Sequence, residues 1–502
     1  MSPDEKKSVR KSIAIGVLTT VILLVSFYFW KLAPSAVGIE IACCKDSVHF
    51  FGPADYPTVS TNKKRLYLFE LKKLVPIIRS DARGDAKATA KVREEMINQV
   101  KGIIKEDFKL TPIDSLIFVD AVVGFGAEAD EEKVKALRGP DVRIAPNDTI
   151  YLQDDPIQQD DPIQQDDPIQ QDDPIQQADA KGAAAWGLVR ARNCPTGCEN
   201  CFTSCAVARA GGSAEVSSSR YIWFVDSGIA DHALLTVQRG TMANPIAYPS
   251  IPGSVDDNGH GTHMAGVAAA KSATMGNGAK RWCFTGGVSP GATVVPIKVL
   301  DHLGKGTWLG VAAGLNHIAK YCNDQSRNWD VINISLGGYN FLNCNTSTSD
   351  YPDHLALVET EIRELAEKHY VVMPSGNNGS DAMNSFPGCI SGTNLFTVGS
   401  ITCPLGCDCS EHTPFGFCAD FSNFGVNVDF VAVGTRVFST WLPKPSSGFG
   451  PLPKPQFNWL SGTSVSAAVI SGVIHTTGMA PKTTAGRHRS KIDGREYAVG
   501  RR

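Results

Sequence analysis

Residues 154–177 are four perfect copies of Asp-Asp-Pro-Ile-Gln-Gln, and they limit the fold more than any other feature. A proline at every sixth position removes a backbone donor and blocks a regular helix, while eight acidic residues within 24 repel one another. Residues 153–178 are therefore expected to be an extended, solvated linker, and folded units must lie on either side of it. The chain can build them, because 42% of its 502 residues are hydrophobic. With 48 Lys+Arg against 51 Asp+Glu the formal net charge is −3, which argues against a basic nucleic-acid binder.

Ahead of the repeat, Lys6, Lys7, Arg10 and Lys11 precede 18 uncharged residues, 13–30, closed by Lys31. As a helix that run is about 27 Å long, close to the ~30 Å hydrocarbon core. Residues 1–31 read as a basic segment and signal anchor, with a cleaved signal peptide as the rival because Pro34-Ser35-Ala36 offers small residues. Both readings put the rest of the chain outside the cytoplasm. The expected location is single-pass in a membrane through residues 13–30, or secreted after cleavage. Disulfides are then the default for the 14 cysteines. Residues 32–63 read as a stalk. Residues 64–152 alternate strand and helix patterns: strand 66–71, helix 86–105, strand 115–123, helix 128–137, and closing strands 142–144 and 149–152. That order suits a ferredoxin-like α+β unit.

Beyond the repeat, over residues 179–481, short apolar runs alternate with helical stretches, which predicts an α/β domain with a mainly parallel sheet flanked by helices. Three polar residues stand at the ends of apolar runs. Asp226 closes Tyr221-Ile222-Trp223-Phe224-Val225. His260 precedes an apolar helix, and Ser464 opens another. In an open α/β sheet, strand C-termini and helix N-termini meet at the ligand crevice. An acid, an imidazole and a hydroxyl there are the parts of an activated nucleophile.

Six motifs stand in order: Val225-Asp226-Ser227-Gly228, His260-Gly261-Thr262-His263, Ser335-Leu336-Gly337-Gly338, Ser375-Gly376-Asn377, Phe421-Ser422-Asn423-Phe424-Gly425 and Gly462-Thr463-Ser464. With them, residues 221–474 resemble the subtilisin-like serine proteases. The resemblance implies an endopeptidase with Ser464 as nucleophile, His260 as general base and Asp226 as its orienting partner. It places Asn377 and the backbone N–H of Ser464 in the oxyanion hole, and Ser335, Leu336, Gly337 and Gly376 along the substrate backbone. His263 is structural in this family. The imidazole must be neutral to act, so kcat/KM should climb through about pH 6–8. Residues 124–143 resemble the inhibitory propeptide of such zymogens, which makes the 64–152 unit an intramolecular inhibitor. Protein or peptide substrates are implied, with no cofactor required. The alternative is a catalytically silent pseudoprotease acting as a membrane-anchored interaction module.

The family pattern is not kept everywhere. Ala432-Val433-Gly434 replaces Ala-Pro-Gly, Ala468 stands where relatives carry proline, and Leu336-Gly337-Gly338 differs from the Trp-Gly-Pro of kexin-type convertases, which argues against strict dibasic specificity. Calcium is common in the family, but its usual aspartate is not recognisable around residues 231–235, so a calcium site stays possible and unplaced. Clusters Cys194, Cys198, Cys201, Cys205 and Cys403, Cys407, Cys409, Cys418 suit disulfides better than zinc, and the adjacent Cys43 and Cys44 suit a cross-link to another chain. Asn147, Asn345 and Asn378 head glycosylation sequons on expected surface, and Asn333 heads one inside an expected core strand. Residues 482–502 hold seven Lys/Arg and little apolar material, so they read as a basic tail. The chain ends sooner than relatives do after the nucleophile helix. Part of the helix at 465–474 is therefore expected to be uncovered.

Overall fold

A computed structural model describes residues 64–74, 76, 86–111, 113, 117–146, 149–152, 188–191, 200–239, 254–275, 282–338, 344, 353–402, 419–443, 456–481, 487–490 and 493–502. The apolar stretch at 13–30, the stalk, the repeat and the cluster at 403–418 lie outside the described residues.

The first unit contains β1 (Arg65–Leu71), α1 (Ala86–Gly102), β2 (Ile117–Phe118), β3 (Gly124–Ala129), α2 (Glu131–Leu137) and β4 (Val142–Pro146). Its sheet is antiparallel throughout, in the order β2-β3-β1-β4, which is ferredoxin-like connectivity. Phe69 and Phe125 stack in its core with ring centroids 4.7 Å apart, and Phe108 tilts against both. The strand expected at 115–123 shrinks to β2, and pairing moves to β3, whose glycines at 124 and 126 disguise the apolar alternation. The second helix starts at Glu131 rather than 128 because the Asp130 carboxylate accepts from the Lys133 N–H at 2.7 Å, a side-chain N-cap.

After β5 (Thr149–Tyr151) the chain continues through β6 (Leu188–Arg190), β7 (Cys201–Ser204), α3 (Cys205–Arg209), β8 (Tyr221–Asp226), β9 (Thr236–Val237), α4 (His260–Ala269), β10 (Ala273–Met275), β11 (Trp282–Phe284), β12 (Thr293–Lys298), β13 (Lys305–Thr307) and α5 (Trp308–Asp324). It closes with β14 (Val331–Ile334), α6 (Asp353–Ala366), β15 (Tyr370–Pro374), β16 (Leu395–Ile401), β17 (Phe430–Val433), β18 (Val437–Trp441), β19 (Gln456–Leu460), α7 (Thr463–Thr477), β20 (Arg487–Arg489) and β21 (Glu496–Val499). Nine strands form the main sheet in the order β20-β21-β17-β16-β15-β14-β8-β12-β9, all parallel except the β20–β21 pair.

Both faces of this sheet are covered, as a parallel sheet requires. Along β8, Ile222 and Phe224 join the core under α4 and α7, while Trp223 and Val225 join the core under α5 and α6. That alternation is the two-residue period of a strand. From β12 the chain crosses over β8 to reach β14, so the C-terminal end of β8 is a topological switch point. Asp226 stands there.

The first unit docks on α5 and α6. Leu66, Leu68, Phe118, Ala121, Val122 and Ile150 share one apolar cluster with those helices. Asn316 on α5 accepts the Asp120 and Ala121 N–H groups at 3.1 and 3.2 Å, and Arg93 bridges Asp120 and Asp324 at 2.7 and 2.6 Å. β5 pairs antiparallel with β13, and the Leu152 N–H donates to Gly304 O at 2.7 Å.

Two expectations are corrected. Residues 482–502 are not only a basic tail, since β21 extends the main sheet beside β17 and every residue from 465 to 474 is buried. A covering helix needs a wide apolar stripe, whereas an edge strand needs one apolar residue in two. Tyr497 and His488 point inward, and Arg487, Arg489 and Glu496 point out. The expected membrane location is overturned as well. Among the described residues no helix is long and apolar enough to cross a membrane. The 13–30 stretch on which it rested lies outside them.

Candidate active site

Asp226 ends β8 with its carboxylate fully buried, and the Ser227 N–H donates to its Oδ1 at 2.7 Å. His260 opens α4, where Gly259 supplies the N-cap at φ 110°; a Cβ there would lie 2.4 Å from the Trp441 ring. His260 Nδ1 lies 2.8 and 2.9 Å from the two Asp226 oxygens, and its Nε2 lies 3.2 Å from Ser464 Oγ. A ring nitrogen facing a carboxylate carries the proton, which leaves Nε2 free to accept from the hydroxyl. Ser464 sits in the first turn of α7, where backbone N–H groups lack helical acceptors and the helix end favours negative charge. The three residues sequence analysis singled out thus form one hydrogen-bonded chain, joining positions 34 and 204 residues apart.

Asn377 follows Gly376, which at φ 106° has Asn423 and Ser385 side chains within 2.4 Å of where a Cβ would be. Asn377 Oδ1 accepts from both the N–H and Oγ1–H of Thr463, at 2.9 and 2.8 Å. Its oxygen is thereby spent, and the amide NH2 is the donor left for the cleft. Nδ2 and Ser464 Oγ lie on the same side of Gly462, 3.4 and 3.0 Å from its would-be Cβ. The cleft is lined by His260, Ser335, Leu336, Pro374, Asn377, Thr463 and Ser464. Gly337 and Gly376 are buried behind it. Ser335 is itself 2% exposed, its hydroxyl donating to Asn333 Oδ1 at 2.5 Å.

Sequence reasoning missed the supports. Thr463 lay inside a quoted motif without a role. Asp256 is a buried hub that accepts from Ser227 Oγ, Asn258 N, Gly259 N, Thr262 N and Thr262 Oγ1 at 2.6–3.0 Å. Burial pushes its carboxyl above the usual range, against the pull of those donors. Its position just before the histidine motif was the available signal. His263 is held neutral: burial pushes its pKa down to about 3, and Nε2 donates to Val437 O at 2.9 Å.

Asp231 Oδ1 accepts from Arg239 Nη2 and Nε at 2.8 and 3.0 Å. Among the described residues the one cluster with metal-ligand types is Cys322, Asp330 and His369. Both Asp330 oxygens already accept from Arg327, Tyr221 N and Trp223 Nε1, and a cation would have to displace a guanidinium. Cys344 pairs with Cys389, and Cys201, Cys205 and Cys283 are also in disulfides. Asn378 is exposed, Asn333 is buried, and Asn147 and Asn345 lie outside the described residues.

A doubly covered parallel sheet with an acid–imidazole–hydroxyl chain at its switch point defines the class of an activated-serine hydrolase site. The model of the subtilase family matches residues 221–478, and the chain belongs to that family. It is 31% identical over 296 residues to "Subtilisin-like protease 2" of Pseudogymnoascus destructans, covering 59% of this chain and 58% of that one. It is 26% identical over 406 residues to "Alkaline serine protease ver112" of Corniculantispora psalliotae, covering 80% and 82%. A solved structure titled "S41 Psychrophilic Protease" aligns at TM-score 0.40 and 23% identity, covering 54% of this chain and 81% of that one. The chain spans 58% and 50% of the lengths of two fungal relatives it matches, so the whole protein's activity is a matter for proposal.

Proposed function

We propose that this chain is a serine endopeptidase, and the observation that carries the reading is His260 bridging Asp226 and Ser464. Ser464 Oγ attacks the scissile carbonyl carbon while His260 Nε2 takes the hydroxyl proton. The oxyanion forms against Asn377 Nδ2 and the Ser464 N–H at the start of α7. Asp226 holds the imidazolium, which returns the proton to the leaving nitrogen as the C–N bond breaks. A water, deprotonated by the same imidazole, then hydrolyses the acyl-enzyme. The intact triad and its supports favour activity over a silent module.

Residues 64–152 act in this reading as the enzyme's own inhibitor. Strand β5 pairs with β13 as an extended substrate would, by antiparallel backbone pairing in a two-stranded sheet. Purified wild type should hydrolyse casein and show a new N-terminus between about residues 152 and 186. Ser464→Ala should stay full length and inactive. A Ser464→Ala protein that matures and cleaves like wild type would remove Ser464 from the mechanism.

A further inference from the structure

Lys298 is a fully buried cation that the triad chemistry leaves unused. It ends β12, directly beside Asp226 in the parallel register with β8. Its ammonium donates to Ser227 O at 2.7 Å, Leu300 O at 2.9 Å and Asp257 Oδ1 at 2.6 Å. Ser227 follows the triad acid, and Asp257 lies three residues before the triad base. We infer that Lys298 is a positioning residue for the triad, its buried ammonium clamping the Asp226 loop to the His260 loop and setting by its charge the pH at which His260 becomes a base. The role rests on the protease reading.

The geometry around it supports a clamp. Val299 and Leu300 N–H groups both donate to Asp226 O at 2.9 and 3.3 Å, so β12 holds the acid's backbone while Lys298 holds its neighbour's. Asn258 Nδ2 donates to His302 O at 3.2 Å, which ties the loop before α4 to the loop that follows β12. Three donors on one ammonium are fully used, and the loop before α4 cannot shift without stranding a buried charge.

Charge gives the clamp a signature that packing alone lacks. The titratable groups on the segments around His260 are Asp226, which bonds to it from β8, His263 one turn along α4, Asp256 and Asp257 from the loop before α4, and Lys298, Asp301 and His302 from β12 and its following loop. Asp256 is bonded to five donors, Asp301 to the Leu303 and Lys305 N–H groups, and His263 is neutral. Lys298 is the lysine among these groups, bonded to Ser227 beside the triad acid and to Asp257 three residues before the triad base, and its charge opposes protonation of the imidazole. Asp257, about half exposed, offsets part of it.

The test is the pH dependence of kcat/KM on fluorogenic casein for wild type, Lys298→Met and Asp257→Asn. Lys298→Met should move the acid limb up by about 0.5–1 pH unit and lower kcat more than it changes KM. Asp257→Asn should move the limb down by a few tenths of a unit, because solvent screens that carboxylate. Opposite shifts support the clamp. Limbs that stay put, or move together, overturn it even if activity falls. If Lys298→Met does not fold, the downward shift in the half-exposed Asp257→Asn decides alone. A wild type without activity overturns the protease reading and this role with it, whereas an active wild type with unmoved variants overturns this role alone.

Discussion

Thr463 decides how a single amide faces the cleft. It gives two donors to Asn377 Oδ1, which leaves the NH2 end of the amide for the cleft. Thr463→Val keeps the shape and removes one donor, so kcat should fall by about tenfold with KM little changed. Asn377→Ala should cost about 10²–10³, the loss known for the equivalent change in subtilisin itself. Steady-state kinetics on one peptide substrate checks both. Buried histidines give a separate signal. Burial pushes His369 down to about 4 and leaves its Nδ1 unpartnered. The folded protein keeps it neutral, while the unfolded chain binds a proton below about pH 6.5. Its contribution is thus present above pH 6.5 and lost as pH falls toward 4. His369→Gln should lose less melting temperature than wild type between pH 7 and pH 4.5, and an equal loss would place the titration elsewhere.

At the scale of elements, the triad residues were legible because each stands at one end of an apolar run, Asp226 closing a strand and His260 and Ser464 opening helices. Asp226, His260 and Ser464 were placed by motif and the structure brings them into one chain. Thr463 and Lys298 were not legible, because they act through hydrogen bonds to residues 86 and 71 positions away that no local pattern announces. Asp256 bonds mainly to the loop it opens and was signalled only by standing before the histidine motif. The C-terminus shows the same limit from another side. A helical period finds no covering element in residues 482–502, yet β21 covers the sheet with Tyr497, whose hydroxyl also accepts from the Gly425 N–H at 2.8 Å. The strand period is hard to see because β21 is only four residues long and the neighbouring β20 turns Arg487 and Arg489 outward. Tyr497→Ala should lower stability by about 3–5 kcal/mol, read as a drop in the urea midpoint at unchanged slope. No change would show that the edge strand contributes nothing to the core.

The described residues form two folded units that meet at an interface, and Glu361 lies within it. This α6 carboxylate is completely buried, and neither oxygen has a hydrogen-bond partner. Burial first, and then Glu70 of β1, hold its pKa well above the ordinary value. A raised carboxyl contributes stability that is full below the unfolded value and lost as pH rises through the folded one. Glu361→Gln should therefore raise the melting temperature by about 2–4 °C at pH 8 and by less at pH 5. A gain larger at pH 5 would reverse the sign and refute the account of the interface.

The claim that most else depends on is that Ser464 is an activated nucleophile. Fluorophosphonate labelling of the matured wild type, followed by mapping of the modified peptide, tests it most directly. The triad geometry predicts one adduct, on Ser464, lost in Ser464→Ala and slowed by orders of magnitude in His260→Ala. An adduct on another residue, or none on fully matured protein, would contradict it.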